Sequence, residues 1–328
     1  MKRVAAIVLA SGAVVALLSG CVESAPCQQP GQTPAGNTGP ITGEVYVDTG
    51  SPYEPGALTV RTVAVARCEQ GAPVDLLIHA PAQAGTYCVV VFQHGFLARN
   101  SDYSETLRHL ASHGFVVVVP QMYTPGIGVL LGSPTAAVEA EWAAVVLAWL
   151  PDHLSALSGV EADTRRLGLA GHSRGGKVAW LTLAADSSRA RAVAGVDPVG
   201  GTGGPGGNQA RVVQGPFNFA FPSLVIGTGL GGACAPAGDN HVQFYDASAV
   251  PAWHVVAVDQ GHGDMLDEAA AEAASRVCAS GPDRAGMRRL TAGLLTAFFR
   301  GSLQGDESAF AWLTDVAAAP ISVVIERK

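Results

Sequence analysis

From about residue 57 onward the chain alternates two kinds of hydrophobic pattern. Leu58 to Ala66 and Val74 to His79 partly alternate apolar and polar side chains, the period of a half-buried strand, and read as two antiparallel edge strands. Val89 to Phe92 and Phe115 to Val119 are continuous apolar runs, as expected of strands buried on both faces. Between them Ser101 to His113 has helical spacing, with Asp102 and Glu105 placed as a capping pair and Gly114 as the stop. Ala136 to Leu150 reads as a helix, Arg166 to Ala170 as a strand and Gly176 to Ala185 as a helix. Strands at Ala190 to Val196, Leu224 to Gly227 and His254 to Val258 follow, with helices at Met265 to Val277 and Arg284 to Phe299. Such alternation needs crossover connections, hence an α/β fold with a mainly parallel, doubly wound sheet and helices on both faces. Residues 57 to 328 read as one catalytic-sized domain.

The first residues follow neither pattern. Lys2 and Arg3 precede an apolar run, Val4 to Leu18, too short for a membrane span. It ends in Leu18-Ser19-Gly20-Cys21, which resembles the lipobox of bacterial lipoproteins. That resemblance implies a signal peptide over 1–20, a lipid on Cys21 and a mature protein exported to the cell envelope and held at a lipid bilayer. Residues 21 to 56 then read as a Pro/Gly-rich tether. Composition adds exclusions: a net charge of -7 with only 14% charged residues gives no reason to expect a nucleic-acid partner. No obligate protein partner is indicated either. Export makes disulfides admissible, and Cys234 with Cys278 is the first pairing expected, because both lie in loops flanking the later part of the domain. Cys88 opens an apolar strand and reads as buried. No C-x-x-C or H-E-x-x-H pattern occurs, so a zinc site has no support.

Chemistry concentrates in Leu169 to Trp180, "LAGHSRGGKVAW". A chain with 40 glycines can produce G-x-S-x-G by accident, so the motif counts only with a strand before it and a helix after it. Both are predicted here. The order of elements, two antiparallel strands and then a parallel sheet with the motif after its fifth strand, resembles the α/β-hydrolase fold. A serine hydroxyl needs a neighbouring base before it is a useful nucleophile, and a taut strand-to-helix turn exposes it. Ser173 is that serine. The Arg174 amide, at the helix start, is one oxyanion donor, and the Phe96 amide in "QHGF" after Phe92 is the second. Of 9 histidines, His262 follows the last buried strand in a glycine-bracketed loop and is the expected base, with His241 the second choice. The spacing leaves two acids open: Asp197, closing "RAVAGVDPVG", and Asp239, after the next strand.

The segments "VVVFQHGFLARNSDYSETLRHLASHGFVVVVPQMY", "LAGHSRGGKVAW", "VAGVDPV", "LVIGTGLGG", "CAPAGDNH", "QGHGDMLDE" and "MRRLTAGLLTAF" resemble chlorophyllase in the same order and spacing. The likeness runs over about residues 57 to 300. It implies hydrolysis of a phytyl ester without metal or cofactor, with Ser173 as nucleophile, His262 as base and Asp197, rather than Asp239, as acid. The chain departs from that pattern in its signal and tether, a glycine tract at 200–207 and a tail after about 303. The expected activity is therefore a serine carboxylic-ester hydrolase for a substrate with a sizeable apolar part. A general envelope esterase, lipase or polyester hydrolase, an exported acyltransferase and a catalytically dead binding lipoprotein are the alternatives.

Overall fold

The computed structural model describes residues 44–126, 132–201 and 216–328. The signal segment 1–20, Cys21, Cys27 and most of the glycine tract lie outside these residues. The strands are β1 (Val60–Val65), β2 (Asp75–Pro81), β3 (Thr86–Gln93), β4 (Phe115–Gln121), β5 (Glu161–His172), β6 (Ala192–Val196), β7 (Ser223–Thr228), β8 (Ala252–Ala257) and β9 (Val323–Arg327). They form one sheet in the order β1-β2-β4-β3-β5-β6-β7-β8-β9. From β4 across to β8 every neighbouring pair is parallel, while β1/β2, β2/β4 and β8/β9 are antiparallel. β2 is thus an interior strand; only β1 lies at that edge. The chain moves from β3 outward to β4, then returns to place β5 on the other side of β3, so strand order reverses at the β3/β5 junction. In open parallel sheets that reversal opens a crevice at the carboxyl ends of the strands.

The continuous apolar runs are explained by burial on two faces. On β3 the side chains of Cys88, Val90 and Phe92 join one core, while Tyr87, Val89 and Val91 join the other. β4 divides in the same way, with Phe115, Val117 and Val119 opposite Val116 and Val118. The first core is closed by α1 (Ser104–Ser112) and α6 (Arg284–Phe299) through Leu107, Leu110, Met287, Leu290 and Leu294. The second is closed by α2 (Ala136–Ser158), α3 (Arg174–Ala185) and α4 (His241–Ala247) through Val146, Leu150, Trp180, Leu183 and Phe244. This is the α/β-hydrolase arrangement expected from the order of patterns.

Three elements differ from that expectation. The helix placed at Ala136 to Leu150 runs on to Ser158 through Pro151, and Gly159 ends it in the left-handed conformation at φ 61°. The helix expected at Met265 to Val277 shrinks to α5 (Glu268–Ala274), because Met265 and Leu266 belong to the loop that carries His262. The tail after 303 is no appendage: its last strand, β9, pairs with β8 from Trp253↔Arg327 to Ala257↔Val323. Residues 44–56, read as part of a tether, also pack on the body. Tyr53 is buried, with its ring over Gly293 of α6 and edge-on to Trp312, and Arg289 Nε donates to its carbonyl at 3.0 Å.

Candidate active site

β5 delivers Ser173 and β6 delivers Asp197 to adjacent positions, since His172 pairs with Val196 across the two strands. The chain turns sharply at both. Ser173 has φ 54° and Asp197 φ 41°, a region that non-glycine side chains seldom enter, and the two turns bond to each other through Ser173 N–H to Val196 O at 3.0 Å and Val199 N–H to Ser173 O at 3.3 Å. The turn at Ser173 is possible only because its flank is bare. A Cβ on Gly175 would stand 2.1 Å from the carbonyl oxygen of Gln93, so the nucleophile turn and the end of β3 touch backbone to backbone.

His262 arrives from the loop after β8. Its Nε2 lies 2.8 Å from Ser173 Oγ, and its Nδ1 2.6 Å from Asp197 Oδ2. A carboxylate at Nδ1 fixes the tautomer with Nδ1 protonated and Nε2 bare, the form that can take the serine proton. Asp197 is wholly buried. Burial by itself would raise its carboxyl, but the bonds from His262 and Thr228 and the fields of His262 and His241 outweigh it and hold the group below the usual carboxylate range. Thr228, at the end of β7, supplies two of those bonds: N–H to Oδ1 at 3.1 Å and Oγ–H to Oδ2 at 2.8 Å.

Asp239 is not brought to His262. Its side chain lies against Gly201, its carbonyl accepts from Gly200 N–H at 2.7 Å, and its charge acts on Lys177. His241 does not reach Ser173 either. It stands behind the acid, Nε2 4.0 Å from Asp197 Oδ1, in a row that continues through His254 (2.7 Å) to the exposed Glu326 on β9 (2.8 Å). Asp264 is consumed by the loop itself, accepting from Gly261 N–H and Gly281 N–H at 2.6 Å each and from Ser280 Oγ at 2.6 Å. Cys234 and Cys278 are disulfide-bonded, joining the loop after β7 to the chain beyond α5; Cys88 is buried and free.

The oxyanion side is built from β3 and the start of α3. The amides on either side of Phe96 are occupied, Gly95 N–H by the Tyr103 hydroxyl at 2.9 Å and Leu97 N–H by the Tyr123 hydroxyl at 3.2 Å. Among the described residues the amides of Phe96 and Arg174 have no acceptor, which leaves two donors for a developing oxyanion. The Arg174 guanidinium is turned away from the reaction. It forms a buried ion pair with Glu139 of α2, accepts stacking from the rings of Phe96 (5.4 Å) and Tyr123 (5.9 Å), and donates to the Pro134 carbonyl. Burial pushes the Glu139 carboxyl up to about 7 against the pull of Arg174.

Sequence reasoning missed Thr228, Tyr103, Glu139 and the structural work of His172. Thr228 had one legible signal, its place at the carboxyl end of a strand beside the acid. Tyr103 had none, because it lies inside a helix start and reaches the site only through tertiary packing.

Comparison with known proteins adds the family. A sequence model of the chlorophyllase family matches residues 48–327. Chlorophyllase-1 of Citrus unshiu, a chloroplastic protein, is 38% identical over 269 residues, covering 76% of this chain and 79% of its own. Chlorophyllase-2 of Arabidopsis thaliana is 33% identical over 283 residues, with 79% and 87% covered. Chlorophyllase type 0 of Chenopodium album is 35% identical over 294 residues, with 83% and 84% covered. The match reaches past 303 to 327, so the tail that the sequence set apart belongs to the shared fold.

Proposed function

The chain belongs to the chlorophyllase family and is a carboxylic ester hydrolase; from that premise we propose that it acts through Ser173, His262 and Asp197 on an ester with a sizeable apolar part. Ser173 Oγ attacks the ester carbonyl while His262 Nε2 takes its proton. Asp197 holds the imidazole by Nδ1 and offsets the imidazolium charge that forms. The oxyanion is met by the Phe96 and Arg174 amides. The imidazolium then gives its proton to the departing alcohol, and water activated by the same imidazole releases the acid from Ser173.

The observation that carries this reading is the unbroken row Ser173–His262–Asp197 at 2.8 and 2.6 Å, with two unoccupied amides beside it. The apolar preference rests on what lines the mouth. Phe96 and Leu97 remain exposed (38% and 40%) directly after the turn that touches Ser173. Arg174, the cation next to Ser173 in the chain, is buried and bound by Glu139 and cannot grip an ionic substrate. Chlorophyll, the substrate in the relatives' names, is one member of that class.

The test compares the full chain with Ser173→Ala on p-nitrophenyl esters of about two to sixteen carbons and on detergent-dispersed chlorophyll. Serine-dependent turnover that rises with chain length supports the reading, and chlorophyllide release extends it to the pigment. Absence of any Ser173-dependent turnover overturns it. We further propose export with a lipid on Cys21, supported by the signal pattern and by disulfide-bonded Cys68, Cys234 and Cys278, which fit an oxidising compartment.

A further inference from the structure

A second row of hydrogen bonds passes behind the first, and its direction can be fixed atom by atom. His172 Nε2 lies 2.9 Å from the carbonyl oxygen of His262, which can only accept, so Nε2 carries the proton. Burial, aided by the neighbouring His262, holds His172 down at about 3, so the ring is neutral and its Nδ1 is bare. The Tyr103 hydroxyl, 3.0 Å from that Nδ1, therefore donates to it. The hydroxyl oxygen in turn accepts Gly95 N–H at 2.9 Å. Tyr103 and His172 each give one proton and take one, between the Gly95 amide that only donates and the His262 carbonyl that only accepts, and the row contains no charge. It runs from the residue beside the Phe96 amide to the backbone of the base itself.

The packing leaves the row no slack. Tyr103 and His172 are 1% and 4% exposed. A Cβ on Gly95 would stand 2.9 Å from His172 Nδ1 and 3.2 Å from Tyr103 Oη, so glycine is what lets the three approach. The His172 and His262 rings lie 4.7 Å apart and tilted. None of these groups is hydrogen-bonded to Ser173 Oγ or to a ring nitrogen of His262.

We propose that Tyr103 and His172 are positioning residues that set the separation between the oxyanion amides and the base. This rests on the serine-esterase reading above. Reaction geometry is exacting: a displacement of about 1 Å in a reacting group can cost on the order of 100-fold in rate. Breaking the row leaves both ends within the fold but lets the loop after β3 and the loop after β8 settle independently.

The experiment measures steady-state kinetics on p-nitrophenyl butyrate, with active sites counted by a fluorophosphonate, for the wild type, Tyr103→Phe, His172→Gln and the double variant. Tyr103→Phe removes one oxygen and is expected to lower kcat about 10- to 100-fold with KM within about twofold. Affinity for an alkyl boronic acid, whose serine adduct is tetrahedral and anionic, should fall by the same factor. His172→Gln should behave alike, and the double variant should lose little more than the worse single, because one row can be broken only once. Wild-type kcat per titrated site in Tyr103→Phe and His172→Gln overturns the inference. So does a double variant whose loss is the product of the two singles. Those outcomes leave the esterase reading standing, whereas a wild type with no serine-dependent turnover overturns both. If Tyr103→Phe yields no titratable sites, His172→Gln decides by the same criteria.

Discussion

Asp197 closes one short apolar strand and Asp239 lies in the loop after the next, and the chain order of the motifs admits either as the acid. What separates them is three-dimensional: one carboxylate is wholly buried among His262, Thr228 and His241, and the other lies against Gly201. The resemblance chose Asp197, but the two bonds by which Thr228 holds its carboxylate were invisible because they span 31 residues. Asp197→Asn presents Nδ2–H toward the imidazole and favours the wrong tautomer. Its kcat on p-nitrophenyl butyrate should fall on the order of 10⁴-fold, while Asp239→Asn should stay within about threefold of wild type. Side-by-side kinetics of the two variants check both numbers, and equal losses would reopen the choice of acid.

Elements with a strong pattern were legible, and those decided by their neighbours were not. β3 and β4 announce themselves as unbroken valine-rich runs because helices cover both faces. α4 is only 7 residues long, starts at an Asn240 cap whose side chain accepts from Val242 N–H, and sits where the sequence offered a loop. β9 carries a two-residue period, with Val323 and Ile325 packed on the first core and Val324 and Glu326 exposed, but the run is short and only half-buried; pairing with β8 makes it a strand. The disulfide acts at this same scale, closing a span of 44 residues between the loop after β7 and the end of α5. By the loop-entropy argument, replacing Cys234 and Cys278 with serine should cost about 2–4 kcal/mol of stability. Urea denaturation of that variant should show the loss as a lower midpoint, with kcat at 25 °C little changed, since the disulfide touches none of the reacting groups.

At the scale of the whole molecule, the buried histidines govern the response to acid. Burial lowers His79 and His94 to about 4 and His172 to about 3. These groups are depressed below the ordinary value of 6.5, so the unfolded chain binds protons that the native one refuses. Their contribution to stability is therefore complete above about pH 6.5 and is lost as pH falls toward 4. Each contributes a slope of about 1.4 kcal/mol per pH unit inside that window. Denaturation midpoints measured at pH 7, 6 and 5 should drop with increasing steepness, and His79→Gln should flatten the fall. An unchanged midpoint down to pH 5 would contradict it.

The same view of the whole shows where the chain enters its own fold. Tyr46 N–H bonds to the carbonyl of Thr86, the first residue of β3, and Asp48 pairs with His113 at the foot of α1. Ser173 and Asp197 stand at the other rim of the sheet, a strand's length of about 25 Å away. The described chain therefore enters the fold at the rim opposite Ser173 and Asp197. The mouth at Phe96 is exposed at the far rim, so an ester reaches Ser173, and its acid and alcohol leave, from the side away from residues 44–48.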